Sequence, residues 1–226
     1  MTKPTLAPRW HTAALVALML TVALVGTLAQ VSGAPTNALS HGRSRITGVY
    51  LPMLAVQWVT LFYVCRVKRP EGTLRALLGA RHANAARMGA DLLLAVLGCV
   101  LVATVEHVWS RFGGRHAPSG TALLPQTTPE RLAWIVVAVS VGFCEELTFR
   151  GYLQTQFEAF TGHVVVAVVL QAALFGIAHG EQGVSVAIRA ALYGLGFGAL
   201  AWWRRSLWPG IACHVANDLA AGLLQP

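Results

Sequence analysis

The chain has 226 residues, of which 55% are hydrophobic and only 12% are charged, and its mean hydropathy is +0.58. Soluble domains usually carry about 25% charged residues, so this composition excludes an ordinary soluble protein and indicates an integral membrane protein. The net charge of +8 does not indicate nucleic acid as a partner, because the basic residues lie in short segments between apolar runs and form no amphipathic stripe.

The apolar runs predict an all-α fold, a polytopic transmembrane bundle of about seven helices, within bounds of about six to eight. In chain order the expected spans are 11–31, 46–65, 88–109, 132–157, 163–178, 184–203 and 207–224. The first is expected to be a retained helix and not a cleaved signal peptide, because its apolar core is long and Pro35 stands where cleavage would fall. The fifth run is short and the sixth carries Arg189, so each is compatible with a helix that is tilted in the membrane or that re-enters on the same side.

A basic cluster between the second and third spans sets the expected orientation. Its members are Arg66, Lys68, Arg69, Arg75, Arg81 and Arg87. The positive-inside rule assigns this loop to the cytoplasm, which puts the N-terminus inside and the loop 111–131 outside. The expected location is a bacterial cytoplasmic membrane, with the chain crossing it several times. Residues 72–83 are compatible with a short interfacial helix and equally with a plain linker.

Ionisable side chains stand inside the fourth expected span. Glu145 and Glu146 are adjacent, and Arg150 follows in the same run. A charge in hydrocarbon costs roughly 2.5 to 3.5 kcal/mol on insertion scales, so such residues usually face a bundle interior and are functional. Glu146 and Arg150 share a helical face, which predicts an ion pair and leaves Glu145 as the freer carboxylate, suited to act as a general base. The alternative is an ion-pair cluster that only holds helices together.

Two later spans carry histidines at a related spacing. Phe175 and His179 share one face of the fifth span, and His214 and Asp218 share one face of the last span. Asn217, next to Asp218, is a rival polar group. The sequence therefore predicts three helices whose polar faces converge.

These motifs resemble those of the CPBP family of intramembrane proteases, which includes the CAAX prenyl endopeptidases. The matching segments are Glu145-Glu146-Leu-Thr-Phe-Arg150, Phe175 to His179, and His214 to Asp218. Many family members carry Asn at the last motif position, where this chain has Asp218 preceded by Asn217. The resemblance covers about 130–224, which divides the chain into 1–130, transmembrane helices and loops without a motif, and 131–226, a catalytic transmembrane domain.

The resemblance implies an intramembrane endopeptidase with an assigned set of catalytic residues. That set is Glu145, Glu146, Arg150, His179, His214 and Asp218. In it, Glu145 activates the hydrolytic water and His179 positions that water. His214 and Asp218 hold the water or the developing oxyanion. The expected partners are a peptide or membrane-protein substrate, prenylated or not, and the lipid bilayer.

The sequence leaves two possibilities open for the cofactor. Family members are commonly called metalloproteases, and Glu145, His179, His214 and Asp218 are residue types that ligate zinc, but the H-E-x-x-H pairing of common zinc proteases is absent. A mechanism with a divalent metal and a metal-free glutamate mechanism are both compatible with these residues.

The sequence also leaves other functions open. The alternative function is a non-catalytic scaffold or bacteriocin-immunity-type protein in which the cluster of polar residues fixes helix packing. A transporter is a third class, although no paired hydropathy halves indicate inverted repeats.

Overall fold

The computed structural model describes residues 5–32, 44–66, 73–79, 85–112 and 123–224. Its α-helices are α1 (Arg9–Val31), α2 (Leu51–Cys65), α3 (Thr73–Leu78), α4 (Ala85–Phe112), α5 (Thr128–Glu145), α6 (Gln154–Thr161), α7 (Val164–Ala178), α8 (Val184–Arg204) and α9 (Trp208–Leu223). Two π-helical segments, π1 (Ile46–Tyr50) and π2 (Glu146–Leu153), lead into α2 and join α5 to α6. The described ranges contain no β-strand, so the predicted all-α bundle is confirmed.

The length of the helices supports an integral membrane protein. Among the described residues, five segments are long and apolar enough to cross a membrane, namely Arg9–Ala29, Ile46–Cys65, Ala85–Arg111, Thr128–Thr161 and Val184–Arg204. Helices α7 and α9 have 15 and 16 residues, or about 22 to 24 Å at 1.5 Å per residue. The hydrocarbon core is about 30 Å thick. The fifth and seventh expected spans are therefore helices that are too short to cross the core upright.

Several features of the predicted topology fall outside the described residues. These are Lys3, Pro35, Lys68, Arg69, Arg81 and residues 113–122 of the loop 111–131. Within the described residues, the expected interfacial helix at 72–83 corresponds to α3, which is one and a half turns long. The orientation of the bundle stays a prediction.

The long fourth segment begins at a well-defined cap. The Thr127 hydroxyl accepts a hydrogen bond from the Glu130 backbone N–H, and the Glu130 carboxylate accepts one from the Thr127 N–H, which is a capping box. Glu130 also accepts from the backbone N–H groups of Gln126 and Arg45. This contact ties the start of α5 to the start of π1, so two elements that lead to the site share one anchor.

π2 departs from the single regular helix that was predicted over 132–157. Its closing hydrogen bond runs from Gln154 N–H to the carbonyl of Phe149, five residues back, and all eight of its residues are buried. A π-helical segment within an α-helix is rare and is frequently found at functional sites. The widened turn carries Glu146 and Arg150, which lie at its start and middle.

Small residues let the helices around π2 approach closely. A Cβ atom on Gly194 would lie 2.8 Å from Ala172 Cα, so α7 and α8 meet at a distance that only glycine permits there. A Cβ atom on Gly198 would lie 2.5 Å from the Gln171 amide nitrogen. The spacing of Gly194 and Gly198, four residues apart on one helical face, thus serves helix packing.

The charged residues of α8 are paired with α4. Arg189 forms an ion pair with Glu106, whose carboxylate also accepts from the Tyr193 hydroxyl. Near the other end of α8, Arg204 Nε donates to Asp91 at 2.8 Å. Arg189 therefore marks a contact between two helices, and α8 itself is a continuous 21-residue helix.

The N-terminal segment is bound to the helix that carries the first motif. The Tyr152 hydroxyl lies 2.7 Å from His11 Nδ1 and 3.0 Å from Thr12 Oγ1. One helical turn further on, the Gln156 amide donates to Thr12 at 2.7 Å. All of these groups are buried, so the network fixes α1 against π2 and α6.

Candidate active site

The first motif forms a buried ion pair. Arg150 Nη1 lies 3.0 Å from Glu146 Oε1, and the side chains are 0% and 1% exposed, so the predicted pairing is confirmed. The Arg150 Cζ atom also lies 4.3 Å from the ring centroid of Phe175 and 5.5 Å from that of Phe197, within cation–π range. One carboxylate and the aromatic rings thus surround a guanidinium that has no exposed surface.

The ion pair in turn orients His214. Its Nδ1 lies 3.1 Å from Glu146 Oε1, and because an ionised carboxylate can only accept, Nδ1 is the protonated donor. The other ring nitrogen, Nε2, then faces Glu145 Oε2 at 3.7 Å and Asp218 Oδ2 at 3.8 Å. These separations are too long for direct hydrogen bonds, but one water can bridge such groups.

Glu145 has two oxygens in different surroundings. Oε1 accepts a hydrogen bond of 2.7 Å from the Gln57 side-chain amide on α2. Oε2 is buried and, among the residues that the structure describes, has no hydrogen-bond partner. Sequence reasoning missed Gln57, because a single amide in an apolar run has no spacing that relates it to the motifs. The only indication of a role for Gln57 in the sequence was that a polar residue in a membrane span usually has a polar partner.

His179 lies at the C-terminal cap of α7, in a backbone conformation (φ −96°, ψ 6°) near the sparsely populated bridge region. Its Nδ1 lies 2.8 Å from the Phe175 carbonyl, which can only accept, so Nδ1 carries the proton and Nε2 keeps a lone pair. Its ring centroid lies 4.6 Å from that of Phe175, whose ring centroid in turn lies 6.1 Å from that of His214. The following turn packs on α1, where a Cβ atom on Gly180 would lie 3.1 Å from Thr27 Oγ1.

Asp218, and not Asn217, faces the cluster. Asp218 lies on the same face of α9 as His214, and its backbone carbonyl accepts a 2.8 Å hydrogen bond from the Trp134 indole, which ties α9 to α5. Asn217 makes no hydrogen bond or ion pair within the described part of the chain. The Asp218 side chain is 23% exposed, against 10% for His214, so the cluster is most open at Asp218.

The structure therefore brings five of the predicted residues into one cluster, namely Glu145, Glu146, Arg150, His214 and Asp218. His179 is connected to this cluster through the Phe175 ring. Across the described ranges, no group of three or more His, Cys, Asp or Glu side chains is arranged to hold a metal ion. The expected zinc ligands stay a prediction.

Comparison with known proteins identifies the segment that contains this cluster. Residues 127–220 match the family model described as Type II CAAX prenyl endopeptidase Rce1-like. No curated protein and no solved structure matches the chain. The matched segment starts at the capping residue of α5 and includes all three motifs, which confirms the resemblance to the CPBP family. Gln57 lies outside it.

Proposed function

We propose, from the premise that residues 127–220 form an Rce1-like domain, that the protein is an intramembrane endopeptidase in which Glu145 activates the hydrolytic water. The observation that carries the proposal is the buried Oε2 of Glu145, which has no partner over the described ranges and lies 3.7 Å from His214 Nε2. A general base must lie within hydrogen-bond reach of the proton that it removes. A water bound between these atoms meets that requirement.

The proposed reaction follows from the contacts of each side chain. Glu145 Oε2 accepts a proton from the water as its oxygen attacks the carbonyl carbon of the scissile peptide. The same proton then passes to the leaving amine as the C–N bond breaks. His214 Nε2 can accept from the water in the neutral ring, or donate to the oxyanion once it is protonated. Glu146 stabilises both the neutral and the protonated ring of His214, because it accepts a hydrogen bond from Nδ1–H.

Three further residues complete the proposed site. In this proposal His179 presents its Nε2 lone pair to the water, since its Nδ1 is held by the Phe175 carbonyl. Asp218 accepts a hydrogen bond from the water or from protonated His214. Arg150 is too enclosed to reach a substrate and stabilises Glu146 instead. The burial of the cluster strengthens each of these interactions, since fixed dipoles and charges act more strongly where bulk water is excluded.

The first test is peptide hydrolysis by the purified protein in detergent and in lipid nanodiscs. Because the matched family is described as CAAX prenyl endopeptidases, the first substrates are C-terminal peptides offered in matched prenylated and unprenylated forms. Glu145→Gln should lower turnover by about 10²- to 10⁴-fold, the usual range for a lost general base. It should leave the yield of folded protein unchanged. Near-normal turnover by Glu145→Gln contradicts the proposed base.

A second arm asks whether a metal takes part. Activity is measured after chelation and dialysis, and again after zinc is added back. Loss and recovery of activity support zinc bound by Glu145, His179, His214 and Asp218. Unchanged activity in protein shown to be metal-free by elemental analysis supports hydrolysis by the side chains alone.

A further inference from the structure

We infer that Gln57 is a positioning residue of this site, which holds one oxygen of Glu145 so that the other faces the reacting water. The inference rests on the proposed function, because it gives Gln57 a role in that reaction. The residue itself lies outside the segment that matches the family, since Gln57 is on α2 and the match begins at residue 127.

The contact is a single, well-placed hydrogen bond to the proposed base. Gln57 Nε2 lies 2.7 Å from Glu145 Oε1, a short distance of the kind seen when an amide donates to a carboxylate. Among the described residues it is the one side-chain donor in hydrogen-bond contact with Glu145, because Arg150 is engaged by Glu146. Without it, no hydrogen bond would fix either oxygen of Glu145, and the carboxylate could turn about its last torsion.

An uncharged amide suits this task better than a charged donor. An amide neither loses nor gains a proton near neutral pH, so it cannot compete with the water for the base. A cation at the same place would form an ion pair with Glu145, as Arg150 does with Glu146. Gln57 therefore orients the carboxylate and leaves Oε2 available as an acceptor.

The backbone around Gln57 is held at both ends. Before it, the Tyr50 hydroxyl donates to the Leu123 carbonyl at 3.0 Å, and the Tyr50 ring packs against Trp134 of α5. After it, the Tyr63 hydroxyl donates to the His11 carbonyl at 3.0 Å. Because both contacts set the rotation of α2, the amide is presented to Glu145 from a rigid element, which is what accurate positioning requires.

This role gives the N-terminal half of the chain a part in the chemistry. The sequence divides into 1–130 without a motif and 131–226 with all three, yet the site is completed by a side chain from the first part. A polar residue in an apolar span is unfavourable unless it is paired. Its pairing with Glu145 explains why an amide stands in α2 at this position.

The test is a series of Gln57 variants in the purified full-length protein. Gln57→Met keeps the length and removes the donor, Gln57→Glu keeps the shape and replaces the donor with an acceptor, and Gln57→Asn keeps the amide on a shorter stem. Val56→Ala, on the adjacent exposed position of α2, is the matched control. kcat and KM are measured on the peptide that wild type cleaves best.

We expect Gln57→Met to lower kcat by about tenfold to a hundredfold, the loss that follows removal of a hydrogen bond to a charged group, with KM unchanged. Gln57→Glu should be at least as impaired, and Gln57→Asn should recover part of the loss. Val56→Ala should match wild type. Unchanged kcat in Gln57→Met, or a loss in all three variants that tracks their melting temperatures and not their donor chemistry, overturns the inference.

A second measurement separates this inference from the proposed function. Thermal midpoints are compared for Gln57→Met, Glu145→Met and the double variant, because each single change removes one partner of the hydrogen bond and side chains in contact give non-additive effects. Additive midpoints overturn the contact between Gln57 and Glu145 even if the protein is an active protease. If wild type cleaves no peptide, the proposed function fails, whereas non-additive midpoints still support the pairing.

Discussion

Removal of the Arg150 guanidinium should destabilise the protein more than removal of any partly exposed arginine. In Arg150→Ala, Glu146 keeps His214 on Oε1. Its Oε2 has no hydrogen-bond partner in the described part of the chain, and its side chain is only 1% exposed. Leaving one member of a buried ion pair uncompensated costs about 3 to 5 kcal/mol. Lost stacking on Phe175 adds about 0.5 to 2 kcal/mol.

The matched control is Arg45→Ala. Arg45 lies 3.6 Å from Glu130, and that carboxylate keeps its backbone N–H donors from Gln126 and Thr127 when the guanidinium is removed. A partly exposed pair of this kind contributes about 0 to 1 kcal/mol. The two variants thus remove the same group from two ion pairs that differ in burial and in the remaining donors.

The assay is thermal and denaturant unfolding in detergent, with both variants beside wild type. A double variant, Arg150→Met with Glu146→Leu, replaces the ion pair by apolar groups of similar size. It should recover most of the lost stability, because such replacements are often neutral or stabilising. Its peptidase activity should stay low, since His214 has lost its Nδ1 acceptor. If Arg150→Ala unfolds with wild-type midpoints, or if the double variant is less stable than Arg150→Ala, the reasoning about this pair is wrong.

His179→Ala should reduce turnover by about tenfold or more, because in the proposed mechanism the ring presents its lone pair to the water. Thermal midpoints should stay near wild type, and a loss of stability in proportion to the loss of turnover would point to a packing role instead. Asp218→Ala should lower kcat much more than Asn217→Ala, since Asp218 faces His214. If Asn217→Ala lowers kcat more, Asn217 and not Asp218 is the functional residue of the last motif. A cysteine introduced at Gly72 should react with membrane-impermeant maleimide only after cells are opened, because the basic segment 66–87 is expected in the cytoplasm; labelling of intact cells would reverse the orientation.

Much of the architecture is contained in local sequence properties. Runs of apolar residues demand helices, because backbone polar groups in hydrocarbon must be satisfied within the chain, and the expected spans correspond to helices of the structure. The ion pair of Glu146 and Arg150 was also predictable, since side chains four residues apart share a helical face. Asp218 lies on the same face as His214 for the same reason.

Contacts between distant helices were decided by the tertiary structure. The spacing of Glu145 and Glu146 says nothing about which carboxylate receives His214 Nδ1; that depends on the antiparallel packing of α9 against α5 and on the π-turn at 146–153. Gln57 carries no motif, and its bond to Glu145 exists only because α2 is held against α5. Periodicity along one helix fixes which residues share a face, whereas the partner of that face depends on the packing of all helices together.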